Sequence, residues 1–229
     1  MRTRGIEDTL KAICVLEEEG GRAGTTALAR RLGVSGPSIT EMLKRLSAAG
    51  LVTYEPYRGV ALTSEGRKLA LRTLRRHRLW EMFLARHLGL QWDEIHEEAE
   101  RLEHATSDLV EERLDRALGF PRVDPHGDPI PSASGALRRS RLTTLAEAEA
   151  GATVVVTRVR DGDREFFREM GRIGIGLNRR IVVRAGARHD GSLRVLVGGR
   201  EHSVSEMLAR RICVAPAGRT PGRKGARHT

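Results

Sequence analysis

The sequence is short of cysteine. Cys14 and Cys213 stand 199 positions apart and offer neither a disulfide framework nor a CxxC metal pair. No run approaches the ~20 uninterrupted apolar residues that span a bilayer, and residues 1–5 open no signal-peptide core. No obvious nucleophile motif stands out either. These absences exclude a membrane protein, a disulfide scaffold and a thiolate zinc protein, and they point to a reduced cytoplasm. What remains is a charged chain of 229 residues with 39% hydrophobic side chains, enough for a buried core in roughly one to two domains.

The 40 Lys+Arg and 30 Asp+Glu give a net charge of +10 that is unevenly placed. Residues 1–75 carry 13 basic and 8 acidic side chains, whereas residues 76–118 carry 6 and 11 and hold four of the eight histidines. Residues 151–215 are basic again, with 13 against 7. A basic module followed by an acidic, histidine-rich one suggests two partners of opposite sign: a polyanion first and a cation second.

Ile6, Leu10, Ile13 and Leu16 recur at helical spacing and predict a first helix ended by Gly20 and Gly21. A short second helix follows, with Thr25 or Thr26 as N-cap, Leu28 and Leu32 inward and Gly33 as its stop. Ser35 then caps a third helix with Pro37 in its first turn and Ile39, Met42, Leu43 and Leu46 as its buried stripe. The three-residue break between them has the length of a helix-turn-helix turn. After Gly50 the pattern becomes extended, and residues 51–55 and 60–63 predict a two-stranded wing with Arg58 at its tip. Ser38, Thr40, Glu41 and Lys44 are left outward on the third helix, which can enter a major groove ~12 Å wide. The DNA-facing set is therefore Arg30, Arg31, Ser35, Pro37, Ser38, Thr40, Glu41, Lys44, Arg45 and Arg58, with the basic members on phosphates. Glu41 is the awkward member: it either accepts from a cytosine amino group or repels the backbone.

Ser64 begins a long helix that ends before Gly89, and Asp93 caps another expected to run to about Leu118. Ile95, Ala99, Leu102, Thr106 and Leu109 share its apolar face, while His96, Glu100, Glu103 and His104 fall on one flank. Glu100 and Glu103 lie three apart and His104 four from Glu100, so the three can converge, and grouped carboxylates repel unless a cation intervenes. His77 and Glu81 repeat the i, i+4 geometry on the preceding helix. Oxygen and imidazole donors without sulfur suit a hard or borderline divalent ion such as manganese or iron(II).

Residues 119–150 are rich in Pro, Gly, Ser and Asp and read as a tether, with a short helical turn at 145–150. Beyond them, residues 154–159, 181–185, 193–197 and 212–215 are β-prone, with a hairpin turn at 189–192, and suggest a small SH3-like barrel. Arg219, Arg223, Lys224 and Arg227 make the tail, residues 216–229, a basic segment expected to be disordered.

Taken with the wing and the acidic flank, the stretches SGPSITEMLKRL, YEPYRGVALTSEGRK, HRLWEMFL, HEEAERLEH and DPHGDPIP resemble the diphtheria toxin repressor family of metal-dependent transcription regulators over residues 1–215. The resemblance implies a mainly α fold with a small β domain. Residues 1–75 would be a winged helix-turn-helix, 76–150 a helical metal-binding and dimerisation domain with the linker, and 151–215 an SH3-like barrel similar to iron-transport accessory protein A. It also implies a cytoplasmic homodimer that binds a palindromic double-stranded DNA operator when loaded, with no membrane and no small organic substrate.

Family resemblance assigns a primary metal site to Asp8, Glu100, Glu103 and His104. Iron-sensing members place methionine where this chain has Asp8, and cysteine or methionine where it has Glu100; manganese regulators carry Asp and Glu, which favours Mn²⁺ over Fe²⁺. A second ion per subunit would take His77, Glu81, Asp124, His126 and Asp161, with His96 as an alternative member. Two positions depart from the family: Lys11 replaces a Glu of small manganese regulators, and Arg158 replaces a carboxylate ligand of some iron sensors. Asp8, on the DNA-binding module, and the ligands of the dimer helices would together clamp the two modules around one ion. The rivals are an iron sensor of the same kind, a metallohydrolase built on the same carboxylates and histidines, and a winged-helix protein indifferent to metal.

Overall fold

The computed structural model describes residues 4–18, 23–56, 58–137, 142–160, 164–185 and 191–218. The chain forms two compact units: residues 1–90, 95–124 and 129–139 in the first, and 91–94, 125–128 and 140–229 in the second. The expected ends at Gly20 and Gly21, the first half of the 189–192 turn and all of the tail beyond residue 218 lie outside the described residues.

The first unit begins with α1 (Arg4–Glu18), which buries Leu10 and Ile13 and leaves Ile6 and Leu16 partly covered. α2 (Thr25–Leu32) is capped by the backbone of Gly24 and not by either threonine side chain. Gly33 ends it in the left-handed region (φ 65°), returning its N–H to Ala29 O. α3 (Gly36–Ala48) opens as its sequence predicts, with the Ser35 side chain accepting from Ser38 N and proline in the first turn. Ile39, Leu43 and Leu46 seal α3 onto α1 and α2, while Met42 is only partly covered. The wing is β1 (Val52–Glu55) paired antiparallel with β2 (Gly59–Leu62), Val52 opposite Leu62.

α4 (Ser64–His87) takes its cap from the Thr63 hydroxyl, which accepts from Gly66 N at 3.1 Å. Its first half packs Ala70, Leu71 and Leu74 on the winged-helix core. Its second half packs Leu79 and Met82 with Leu114, Leu118 and Ile130. The single helix expected from Asp93 to Leu118 is instead two: α5 (Trp92–Glu103) and α6 (Asp108–Ala117). Thr106 Oγ1 bonds back to Leu102 O and accepts from Trp80 Nε1 at 2.7 Å, and Ser107 caps Val110 N. These side chains take over the backbone's partners, so the helix breaks there. Leu109 consequently leaves the apolar face and is 62% exposed.

The second unit is a six-stranded antiparallel sheet in the order β3-β8-β4-β5-β6-β7. Its strands are β3 (Thr143–Thr144), β4 (Thr153–Val159), β5 (Arg180–Ala185), β6 (Leu193–Val197), β7 (Arg200–Val204) and β8 (Ile212–Pro216). A 3-10 turn at Leu145–Glu147 occupies the expected helical position, and α7 (Arg164–Ile173) and the short α8 (Glu206–Ala209) are added to the strands. Leu145, Val156, Val159, Met170, Ile181, Val183, Val195 and Ile212 form its own core. No described helix is long and apolar enough to cross a membrane.

Candidate functional site

α1, α4 and α5 bring titratable side chains together inside the first unit. Asp8, Glu103 and His104 present ligand atoms within 4.8 Å of one another, as do His77, Glu81 and His96. Glu103 lies between the two groups. Its Oε2 meets His77 Nδ1 at 2.6 Å, and its Oε1 accepts from Lys11 Nζ at 2.7 Å. His77 Nε2 lies 3.0 Å from Glu81 Oε1 and 3.2 Å from His96 Nδ1.

His104 carries the most informative geometry. It sits in the turn after α5 and not on the helix, so its approach to the carboxylates comes from the break and not from i, i+4 spacing. Its Nδ1 meets Glu7 Oε2 at 2.7 Å. A carboxylate there fixes the orientation of the ring. That Nε2 is buried, 2.9 Å from Asp8 Oδ1 and 3.3 Å from Glu103 Oε1, and makes no hydrogen bond. Two carboxylate oxygens and an imidazole nitrogen converge on one spot without sulfur, and that donor set fits a divalent ion. Glu7 is the member that sequence reasoning missed. Its signal was its place beside Asp8, one turn before Lys11.

Glu100, assigned with these residues, points elsewhere. It is partly exposed, 3.5 Å from Lys11 Nζ and 3.6 Å from His96 Nε2, outside the Asp8 group.

Charge states follow the same packing. Burial pushes the Asp8 carboxyl up from its usual range, against the pull of His104 and Lys11. Burial and Lys11 both act to discharge His77, yet the charge of Glu81 and the hydrogen bonds that the ring donates to Glu103 and Glu81 outweigh them and lift it to about 9. Burial would also raise Glu103, but His77 and Lys11 hold it below the ordinary carboxylate value. The His77 imidazolium and the Lys11 side chain therefore clasp one carboxylate between them.

Of the other residues expected in a second site, Asp124 is buried in the first unit, 3.6 Å from Arg78 Nε. His126 belongs to the second unit, where its ring stacks on Phe167 at 4.9 Å and its carbonyl accepts from Val159 N. Arg158, in the same unit, pairs with Asp128. Asp161 lies outside the described residues.

The DNA-facing candidates cluster on the winged helix. Arg30, Arg31, Ser35, Pro37, Ser38, Glu41, Lys44, Arg45 and Arg58 are exposed and Thr40 is half-buried, its hydroxyl bonded to Gly36 O. Glu41 accepts from Lys44 Nζ at 2.7 Å, which answers its awkward charge on that face, and the pairing raises the Lys44 ammonium above its ordinary value. Arg58 donates to Glu55 at 3.2 Å at the wing.

Comparison with known proteins agrees with this layout. Residues 1–60 match the iron dependent repressor N-terminal DNA binding domain, 63–132 the iron dependent repressor metal binding and dimerisation domain, and 143–216 the FeoA domain. The chain is 33% identical over 205 residues to the iron-dependent repressor IdeR of Mycobacterium tuberculosis, covering 84% of this chain and 88% of that one. It is 38% identical over 161 residues to the diphtheria toxin repressor of Corynebacterium diphtheriae, covering 70% of this chain and 67% of that one. Among solved structures it resembles a manganese-dependent transcriptional repressor in complex with manganese (TM-score 0.86, 39% identity, 92% of this chain and 99% of that one). The manganese regulator SloR is also similar (TM-score 0.80, 33% identity, 92% and 98%).

Proposed function

We propose, from the premise that the chain belongs to the iron-dependent repressor family of metal-dependent DNA-binding repressors and is not an enzyme, that it responds to manganese. In this reading it is a homodimer that binds a palindromic operator when loaded and represses metal-uptake genes. The observation that carries the reading is the sulfur-free donor set in which His104 Nε2, Asp8 Oδ1 and Glu103 Oε1 converge. Manganese binds weakly among the divalent metals, so a site selects it with hard oxygen ligands and coordination number rather than softness.

Asp8, Glu103 and His104 would hold the ion, with Glu100 as the fourth ligand after a rotation away from Lys11 and His96. A second ion would fall to His77, Glu81 and His96, all in the first unit. The ion supplies positive charge that cancels clustered carboxylates. Every other part of the device belongs to the chain. Asp8 ties α1, and through it α2 and α3, to the ligands of α5. Glu7 fixes the imidazole that faces Asp8. Arg30, Arg31, Arg45 and Arg58 contact phosphates, and α3 offers Ser38 and Thr40 to base edges.

Iron(II) is the second reading, favoured by relatives that bear the iron-dependent name. Anaerobic Mn²⁺ and Fe²⁺ titrations of DNA binding separate the two, using a duplex enriched from random sequence and comparing the wild type with Glu100→Cys. Manganese should drive wild-type binding, and the thiolate should shift the response toward iron by about tenfold. DNA affinity that is unchanged between chelated and saturated protein would reject metal control.

A further inference from the structure

Lys11 stands on α1, one turn beyond Asp8, and is 8% exposed. Its Nζ donates to Glu103 Oε1 at 2.7 Å and sits 3.5 Å from Glu100 Oε1. That Glu103 oxygen is the one that faces His104 Nε2 at 3.3 Å. A buried ammonium is costly unless it is paired, and Lys11 finds its pair among the carboxylates that would otherwise repel one another. It performs part of a divalent ion's task there with half the charge.

We propose that Lys11 is an internal cation that competes with the divalent ion for Glu103 and Glu100, and so raises the metal concentration at which the site fills. The proposal rests on the reading that Asp8, Glu100, Glu103 and His104 hold that ion. The mechanism is electrostatic. With the ammonium in place, each carboxylate is already partly neutralised, and an arriving ion meets a like charge a few ångströms away. Without it, the cluster's mutual repulsion is relieved only by the ion. Lys11 also joins α1 to α5 through Glu103 in the metal-free chain, which keeps the two helices in register before metal arrives.

The test measures Mn²⁺ binding directly, from the electron paramagnetic resonance signal of the free aquo ion, so that DNA binding plays no part. Lys11→Met keeps most of the apolar stem and removes the charge; Lys11→Arg keeps the charge. We expect Lys11→Met to bind Mn²⁺ about tenfold more tightly than the wild type, and Lys11→Arg to bind no more tightly than the wild type. Equal or weaker binding by Lys11→Met, alongside a wild type that does bind, overturns the proposal alone. A wild type that binds no Mn²⁺ overturns the site reading beneath it. Should Lys11→Met be loosely folded without metal, its rise in melting temperature at saturating Mn²⁺ reads the same affinity. A rise larger than the wild type's supports the proposal, and an equal or smaller one overturns it.

Discussion

At the scale of single residues, the site depends on where protons sit. Glu7 meets His104 Nδ1 at 2.7 Å and orients the ring. Removing the carboxylate frees the ring to rotate or change tautomer, so Glu7→Gln should weaken Mn²⁺ binding about 10–100-fold while leaving the fold intact, as read by metal titration and circular dichroism. His77 makes the metal-free chain sensitive to pH. Its folded value of about 9 lies above the ordinary 6.5, so the folded state binds the extra proton. The stabilisation is complete below about 6.5 and is lost as pH rises through about 9. Glu103 works oppositely: its lowered value stabilises above the ordinary carboxylate range and is lost on acidification. With chelator present, the melting temperature should fall between pH 6.5 and 9, and His77→Gln should flatten that alkaline limb. A wild-type curve already flat there contradicts the assignment. Sequence patterning reached Glu103 and His104 because their charge and spacing on one flank announce them, whereas Asp8 came only from the family resemblance. It did not reach Glu7, whose role depends on the far side of a ring that only the folded chain orients.

At the scale of elements, the winged helix was legible because each piece carries its own punctuation: Ser35 with Pro37, Gly33 in the left-handed region, and alternation after Gly50. The break between α5 and α6 was not, because the apolar period runs through it. What ends α5 is local: the Thr106 and Ser107 hydroxyls and the indole of Trp80. The edge strand β7 was hidden for a different reason. It buries only Val204, as an exposed edge does, and the Gly198-Gly199 turn is its one clear signal. α7 did carry a signal, since Phe166, Phe167, Met170 and Ile173 are helically spaced and buried. The β-prone runs on either side of it masked that signal. Helix α4 depends on one glycine for its approach to the wing. A Cβ on Gly66 would come within 1.9 Å of Leu51 O, a backbone atom that cannot swing aside. Gly66→Ala should therefore cost about 2 kcal/mol or more in urea unfolding, despite alanine's better helix propensity. A neutral or stabilising result would mean that the wing gives way freely.

At the scale of the whole molecule, the chain has two compact units with separate apolar cores, and Asp8, Glu100, Glu103 and His104 all belong to the first. Charge segregation does not mark that division, since the basic stretch 1–75 and nearly all of the acidic stretch 76–118 fall together in the first unit, and only the Pro- and Gly-rich run after 118 announces the second. Two compact units, each packed on its own, predict two unfolding transitions in calorimetry. A ligand that binds only the folded state of one unit stabilises that unit alone, by about 2.7 kcal/mol at a hundred times its dissociation constant. For a unit of this size that is a rise of about 5–10 °C. Manganese at that level should lift the transition of the unit holding α1, α4 and α5, and leave that of the sheet in place. His126 belongs to the other unit, and Asp161 is its expected companion. If those two residues also hold an ion, both transitions should climb, the second only at the higher concentration that fills the second site, and His126→Ala should restore the unequal response. Two transitions that ignore manganese at every concentration would leave the clustered carboxylates without a cation to gather them.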